Sequence, residues 1–265
     1  MSRRHIIFRC QGSELVGTLD SATGSTGLLI VSGGNELRSG PWGSQAWLAG
    51  TLAEQGFPVF RFDRRGIGDS AGENSGYMAS APDIGAAIAA FRREQPQLER
   101  IVAYGNCDAA SALMLGGGAG LDGLVLSNPW TAGPGATDKV EPVPPPPSVL
   151  RRHYLRRLTD PRALWRLLTG KVQFGQMANS LASATRTAAA PNRLVQQMSH
   201  GLAGFSGPVT VLLAERDGTA QAFAATWDKH DPRLRWCRGA THSFVEAEAR
   251  IWLVEQIRAM LRSLA

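Results

Sequence analysis

The segment Val102-Ala103-Tyr104-Gly105-Asn106-Cys107-Asp108-Ala109-Ala110 joins an apolar strand pattern to a helical pattern through a single tight turn. Such a turn crowds the residues two before and two after its centre, and Gly105 and Ala109 are small enough to fit there. The pattern Gly-x-Cys-x-Ala is a variant of the Gly-x-Ser-x-Gly turn that exposes a nucleophilic side chain. Because Cys107 stands at the start of a helix, the helix dipole and free N–H groups favour its thiolate. We therefore predict Cys107 as a nucleophile.

Strand and helix patterns alternate on both sides of this turn. Apolar runs predict strands at 27–32, 57–62, 100–104, 123–126, 208–214 and 234–238. Helical spacing of apolar residues predicts helices at 43–55, 83–94, 109–115 and 244–264. This alternation predicts an α/β fold with a mainly parallel central sheet and helices on both faces. Residues 5–10 and 14–20 are expected to form an antiparallel hairpin at the edge of that sheet.

The alternation breaks off between residues 128 and 204. A proline-rich connector leads into helical patterns with no convincing strand, and Asp160-Pro161 is a typical helix start. Helices inserted between two strands of a parallel sheet indicate a cap over the strand ends. We therefore predict a core of residues 1–130 and 205–265 and a helical cap of residues 131–204.

A nucleophile of this kind needs an acid and a base, which follow it along the chain in that order. Asp217 comes directly after the predicted strand 208–214, and His242 lies between the last strand and the last helix. Both are in loops at carboxyl ends of strands, where α/β folds build their sites. The chain has four other histidines, but only His242 is in the correct loop, so we predict a Cys107–His242–Asp217 triad.

An anion hole is predicted beside the triad. Ser32-Gly33-Gly34-Asn35 follows an early strand and can offer a backbone N–H near Gly34 or Asn35, and the N–H of Asp108 would be the second donor. Asp108 directly follows Cys107 in the sequence. A carboxylate beside a thiol opposes ionisation of the thiol unless it points away.

Composition excludes several classes of protein. Apolar residues make up 43% of the 265 residues and charged residues 19%, which fits a packed globular chain and not a disordered one. Three widely separated cysteines without a Cys-x-x-Cys pair argue against disulfides and a zinc site, and Cys10 and Cys237 are expected to be buried in strands. No window resembles a signal peptide or a membrane-spanning helix, so we expect a cytoplasmic protein. Neither a metal nor an organic cofactor is required by the predicted chemistry.

The positive charge is confined to the predicted cap. Residues 148–171 carry seven basic side chains against one acid, which accounts for the whole net charge of +6. A solvated basic face is the default interpretation. The alternatives are an anionic acyl carrier or peripheral contact with an acidic membrane; a nucleic-acid partner is not expected. Residues placed near the substrate are Trp130, Arg152, Tyr154 and Arg156. The oligomeric state stays open.

Several motifs together resemble a known family. Asp63-Arg-Arg-Gly-Ile-Gly-Asp-Ser70 resembles the D-x-R-G-x-G-x-S turn of α/β-hydrolases, and Gly105-Asn-Cys-Asp-Ala-Ala-Ser111 is similar to the turn of one subgroup. That subgroup is the "hydrolase 1" family associated with the bacterial exosortase A system, and Asn128-Pro-Trp130 and Arg216-Asp-Gly-Thr-Ala220 are also similar to it. The resemblance implies a cytoplasmic bacterial hydrolase encoded beside exopolysaccharide and protein-sorting functions. Cysteine in place of serine and Asp108 after it depart from commoner hydrolases.

The resulting hypothesis is acyl transfer from an ester or thioester to water through an acyl-enzyme. One alternative is an acyltransferase that uses the same triad with a hydroxyl acceptor. The other is a binding or scaffold protein with little catalysis, which would use its basic cap to contact a partner.

Overall fold

The computed structural model describes residues 2–131 and 193–265. Eight strands form one sheet: β1 (Ser2–Cys10), β2 (Ser13–Ser21), β3 (Thr26–Val31), β4 (Val59–Phe62), β5 (Arg100–Asn106), β6 (Gly123–Ser127), β7 (Val209–Ala214) and β8 (Leu234–Cys237). Their order across the sheet is β1-β2-β4-β3-β5-β6-β7-β8. The first two strands pair antiparallel at one edge, β2 is antiparallel to β4, and all pairs from β4 to β8 are parallel. The predicted α/β fold and its edge hairpin are confirmed.

In the described part of the chain, six α-helices cover the two faces of the sheet: α1 (Ser44–Glu54), α2 (Ala81–Glu94), α3 (Asp108–Leu115), α4 (Arg193–Ala203), α5 (Gly218–Thr226) and α6 (Ala247–Ser263). One hydrophobic core includes buried residues of α2, α3, α4 and α5, and the other those of α1 and α6. Strands β3, β4 and β6 are buried throughout. Such continuous apolar strands are typical of a sheet covered on both faces.

The helix that precedes β7 packs on the core. Leu194, Val195, Met198 and Leu202 form the buried face of α4 and contact the same hydrophobic cluster as α3. Gly201 lets the two helices approach closely, because a Cβ at this position would lie 2.1 Å from the carbonyl oxygen of Met114. The rest of the predicted cap, residues 132–192, lies outside the described residues, so the cap and its boundaries stay a prediction.

One helix and one strand begin later in the structure than the sequence predicts, each for a local reason. The last helix begins at Ala247 and not near Phe244, because Phe244 has a left-handed φ of 49° that a helix cannot continue through. Strand β4 begins at Val59, after Pro58, which has no N–H to donate to a neighbouring strand. Within the described residues, no helix has the length and apolar character needed to cross a membrane.

Candidate active site

The parallel strands bring their carboxyl ends to one edge of the sheet, and the turn after β5 lies at its centre. Strand β5 ends at Asn106 and α3 begins at Asp108, so Cys107 alone forms the turn, with φ 59° and ψ −126°. A non-glycine residue in such a conformation costs on the order of 1–3 kcal/mol and is typical of functional sites. Gly105 allows the turn, since a Cβ there would lie 2.9 Å from backbone atoms of Ala109 and Ala110. The turn presents Cys107 half-exposed at the end of the sheet.

The predicted acid and the predicted base form a hydrogen-bonded pair. Asp217 Oδ2 lies 2.9 Å from His242 Nδ1. The carboxylate is buried and also accepts hydrogen bonds of 3.1 Å from the N–H groups of Thr219 and Ala220, because Asp217 is the N-cap of α5. These contacts fix the carboxylate, which in turn fixes the orientation of the imidazole.

The electrostatics of His242 connect it to the nucleophile. Burial lowers the pKa of His242, but hydrogen bonds to the Asp217 and Cys107 side chains, together with their negative charge, raise it to about 10. The Cys107 side chain is thus close enough to the imidazole to raise its pKa. At neutral pH the imidazole therefore holds a proton.

A buried asparagine fastens the loop that carries His242. Asn128 follows β6, is fully buried, and has a left-handed φ of 44°. Its amide nitrogen donates to the carbonyl of His242 and to Asn106 Oδ1, both at 3.0 Å, and its oxygen accepts from Ala214 N–H at 2.8 Å. Asn128 thus joins the ends of β5, β6 and β7 to the histidine loop. The sequence placed it in a family motif but gave it no role.

Replacing Asn128 with alanine is expected to destabilise the protein and to lower activity. The change leaves the Ala214 N–H and the His242 carbonyl without this partner, which should cost about 2–4 kcal/mol of unfolding free energy. Chemical denaturation measures the loss. Asn74→Ala is the matched control, because its hydrogen bond to Asn35 is exposed, and it should cost less than about 1 kcal/mol. Equal losses in the two variants would contradict the role of Asn128.

The loop after β3 supplies the predicted anion hole, and the structure adds an unexpected contact there. The N–H of Gly34 donates to Asp108 Oδ1 at 2.6 Å. Gly33 makes room for this carboxylate, since a Cβ at Gly33 would lie 2.8 Å from the same oxygen. Arg64 donates to the carbonyl of Gly34, and the Asn35 side chain bonds to Asn74. A predicted oxyanion donor is therefore occupied by the protein's own carboxylate.

The motif around Asp63 supports this same loop. Asp63 is fully buried, accepts a 2.6 Å hydrogen bond from the Arg38 N–H, and forms an ion pair with the Arg38 guanidinium. It also accepts from the N–H of Asp69 at 3.2 Å. Through these contacts Asp63 holds its own loop and the loop after β3 together.

Asp108→Ala is expected to raise kcat/KM for a neutral ester by about 10-fold or more. The alanine keeps the backbone N–H of residue 108, frees the Gly34 N–H, and removes a negative charge beside the developing oxyanion. A hydrogen bond to a charged group contributes about 1.5–3 kcal/mol, and 1.36 kcal/mol corresponds to 10-fold in rate. Steady-state kinetics would check this, with Asp108→Asn as an uncharged control of similar shape and intermediate activity. A fall in kcat/KM for Asp108→Ala would contradict the blocking role.

Two further titratable groups lie at the site and were not predicted. Glu36 is half-buried in the loop after β3; burial raises its pKa, the His242 charge lowers it, and the Asp108 charge raises it. Burial also raises the pKa of Tyr77, with further increases from Asp108 and Cys107. The Tyr77 hydroxyl is buried without a hydrogen-bond partner among the described residues. No sequence pattern marks either residue, because both approach the site from loops distant from the turn.

The remaining predicted residues fall into two groups. Trp130 lies beside the predicted nucleophile. Its backbone N–H donates to the Cys107 carbonyl at 3.3 Å, and its backbone carbonyl accepts from the Ser111 hydroxyl at 2.8 Å. Arg152, Tyr154 and Arg156 lie outside the described residues. Cys10 and Cys237 are buried at the ends of β1 and β8, as expected.

Comparisons with known proteins agree with this architecture. A family model described as "Alpha/beta hydrolase family" matches residues 28–255. Solved structures similar to this chain include the alpha/beta hydrolase GrgF from Penicillium sp. sh18, with 18% identity, 99% of both chains covered and a TM-score of 0.61. The Pyrococcus furiosus esterase Pf2001 has 14% identity over 99% of this chain and 90% of its own, with a TM-score of 0.61. An alpha-beta serine hydrolase homologue from Coxiella burnetii has 16% identity over 100% and 99%, with a TM-score of 0.56. Curated protein sequences give no match.

Proposed function

Because the chain belongs to the alpha/beta hydrolase family, we propose that it hydrolyses a carboxylic ester or thioester with Cys107 as the nucleophile. His242 acts as acid and base, and Asp217 orients it. The observation that carries this proposal is one imidazole that is hydrogen-bonded to Asp217 and whose pKa is raised by the neighbouring Cys107 side chain. That side chain stands on a strained strand-to-helix turn.

The first half of the reaction forms an acyl-enzyme. His242 holds the proton that the Cys107 thiol has given up, and the thiolate attacks the carbonyl carbon, so that the carbonyl π electrons move to oxygen. The oxyanion accepts hydrogen bonds from the N–H of Asp108 and, once the Asp108 carboxylate has moved aside, from the N–H of Gly34. Collapse of this intermediate breaks the bond to the leaving group, which takes the proton from His242.

The second half regenerates the enzyme. Water gives a proton to His242 and attacks the acyl carbon of the Cys107 thioester. The new intermediate collapses, releases the carboxylic acid, and returns the thiolate, which again pairs with the imidazolium. When a thiolate attacks an ordinary ester, the intermediate expels the thiolate more easily than the alkoxide, and the ester is restored. The leaving groups of thioesters and activated esters depart more easily than an alkoxide, so the acyl-enzyme can form. We therefore expect thioesters to be preferred.

A substrate panel tests the proposal. p-Nitrophenyl esters and acyl-CoA thioesters of increasing chain length are assayed with wild-type protein and with Cys107→Ala, and Cys237→Ala serves as the matched thiol control. We expect turnover in the wild type and in Cys237→Ala and none in Cys107→Ala. Turnover that survives in Cys107→Ala would place the chemistry elsewhere. Acyl transfer to an added sugar in place of release as the free acid would favour the acyltransferase alternative.

The finer resemblance to the exosortase-associated family remains a prediction, as does a cytoplasmic location. Under that prediction the acyl substrate would belong to exopolysaccharide or protein-sorting metabolism. The arginine-rich segment lies outside the described residues, so a solvated basic face and an anionic partner both stay predictions for it.

A further inference from the structure

A small cleft on the α1–α6 side of the sheet lies beside the candidate active site. Its volume is about 30 Å³, and its mouth is open to solvent. Asn106 and Ser243, the chain neighbours of Cys107 and His242, line it together with Trp42, Trp47 and Arg250. Trp42, Trp47 and Arg250 are therefore side chains near the predicted nucleophile that a substrate could contact.

Arg250 is held in the cleft by aromatic rings. Its guanidinium carbon lies 5.1 Å from the ring centroid of Trp42 and 5.8 Å from that of Trp47. At this range the ring faces attract the cation and fix a flexible side chain. Trp42 itself has a left-handed φ of 47°, a conformation that costs on the order of 1–3 kcal/mol and that is kept where the surroundings require it.

The Arg250 guanidinium has no anionic partner in the described part of the chain. No carboxylate there lies within 4.0 Å of it, and no hydrogen bond from its N–H groups is formed to another described residue. The arginines buried near the loop after β3 differ, since Arg38 and Arg61 face carboxylates and Arg64 binds a carbonyl oxygen. A fixed planar cation with unused donors is the side chain best suited to bind a carboxylate or phosphate through two hydrogen bonds.

Among the described residues, Glu36 is the one carboxylate that lines the cleft, and it does not neutralise this cation. Glu36 is not within ion-pair distance of Arg250, and its electrostatic neighbours are His242, Asp108 and Arg64. Glu36 therefore lies at the end of the cleft near His242, and Arg250 lies at the end formed by the two tryptophans.

We propose that Arg250, held by Trp42 and Trp47, binds an anionic group of the substrate, a carboxylate or a phosphate, set apart from the reacting carbonyl. This subsite rests on the proposed function, because it assigns part of the substrate of the same site. The tryptophan rings contact the part of the substrate that links its anionic group to the reacting carbonyl, and the guanidinium donates hydrogen bonds to the anionic group. The subsite selects charged acyl or leaving groups over neutral ones of the same length.

The binding test does not require catalysis. Cys107→Ala protein is titrated with butyrate, with inorganic phosphate and with the neutral butyramide, while tryptophan fluorescence is followed. We expect a saturable change with at least one of the two anions, which Arg250→Met weakens at least 10-fold, and none with butyramide. Arg262→Met, at the exposed end of the same helix, removes an equal charge and should leave the affinity unchanged. Equal affinities in the Arg250 and Arg262 variants would overturn the subsite.

The kinetic test identifies the source of the anion. p-Nitrophenyl hemiglutarate is compared with p-nitrophenyl butyrate, and butyryl-CoA with butyryl-N-acetylcysteamine, which lacks the phosphates. Arg250→Met should lower kcat/KM by about 10- to 100-fold for the charged member of one pair and leave its neutral partner within about 2-fold. A loss confined to hemiglutarate assigns an acyl carboxylate, and a loss confined to CoA assigns a phosphate of the leaving group. Equal losses within both pairs would overturn the proposal, whereas binding without turnover on any substrate would reject the proposed function and keep the subsite.

Discussion

Replacing Cys107 with serine should lower kcat/KM for ester and thioester substrates by at least about 10³-fold, although the change is a single atom. A serine nucleophile needs a neutral imidazole that can take its proton. In the wild type, Asp217 and the Cys107 side chain together raise the pKa of His242 to about 10, so the imidazole beside the sulfur is protonated at neutral pH. A thiol can share its proton with such an imidazole, whereas a hydroxyl is too weak an acid to do so. The proposed mechanism therefore depends on sulfur at position 107.

Steady-state kinetics with a p-nitrophenyl ester and an acyl thioester would measure this loss. Cys237→Ser, a buried thiol at the end of β8, is the matched control and should keep near-normal kcat/KM if the protein folds. The melting temperature of each variant separates loss of chemistry from loss of structure. Wild-type activity in Cys107→Ser would mean that His242 behaves as an ordinary neutral base.

Replacing Asp217 with asparagine should lower kcat/KM by about 10²- to 10⁴-fold. The asparagine cannot supply the negative charge that holds the imidazolium, and its amide group can turn the imidazole into the wrong tautomer. Asp231→Asn is the control, because Asp231 also accepts several hydrogen bonds from its own loop but lies away from the triad. A loss of less than about 5-fold in Asp217→Asn would contradict the assignment of the acid.

The same substitution should move the alkaline limb of the pH–rate profile. In wild type His242 stays protonated until the pH approaches about 10, and the protonated form is the acid that the leaving group needs. Without the Asp217 charge the pKa of His242 falls, so the alkaline limb of kcat/KM should shift to lower pH. The stabilising contribution of this raised pKa is complete below the ordinary histidine value of about 6.5 and is lost as pH rises through about 10. The difference in unfolding free energy between wild type and Asp217→Asn should therefore become smaller as the pH rises from about 6.5 to about 10.

Local steric rules made the central part of the fold predictable. The turn at Cys107 follows from Gly105 and Ala109, because only small residues fit where strand and helix approach each other. The parallel sheet follows from apolar runs that alternate with helical patterns. The positions of Asp217 and His242 follow from the rule that parallel strands end at one edge.

Contacts between distant loops were not predictable in the same way. The sequence places a carboxylate at position 108 but does not give its direction, which depends on Gly33 and Gly34 at the end of another strand. In the sequence Asn128 resembles an ordinary turn residue. Only the structure shows that its amide donates a hydrogen bond to the His242 carbonyl. Arg250 is one of many arginines, and only the packing of α1 against α6 brings it to the two tryptophans.

The claim on which the mechanism depends is that His242 keeps Cys107 reactive by holding its proton. The most direct test is the rate of iodoacetamide alkylation of Cys107 at pH 6, followed by peptide mass spectrometry in wild type and in His242→Gln. Since only the thiolate reacts, we expect alkylation of Cys107 to slow by about 10-fold or more in His242→Gln, while Cys10 and Cys237 remain slow in both proteins. An equal rate at Cys107 with and without the imidazole would contradict the account.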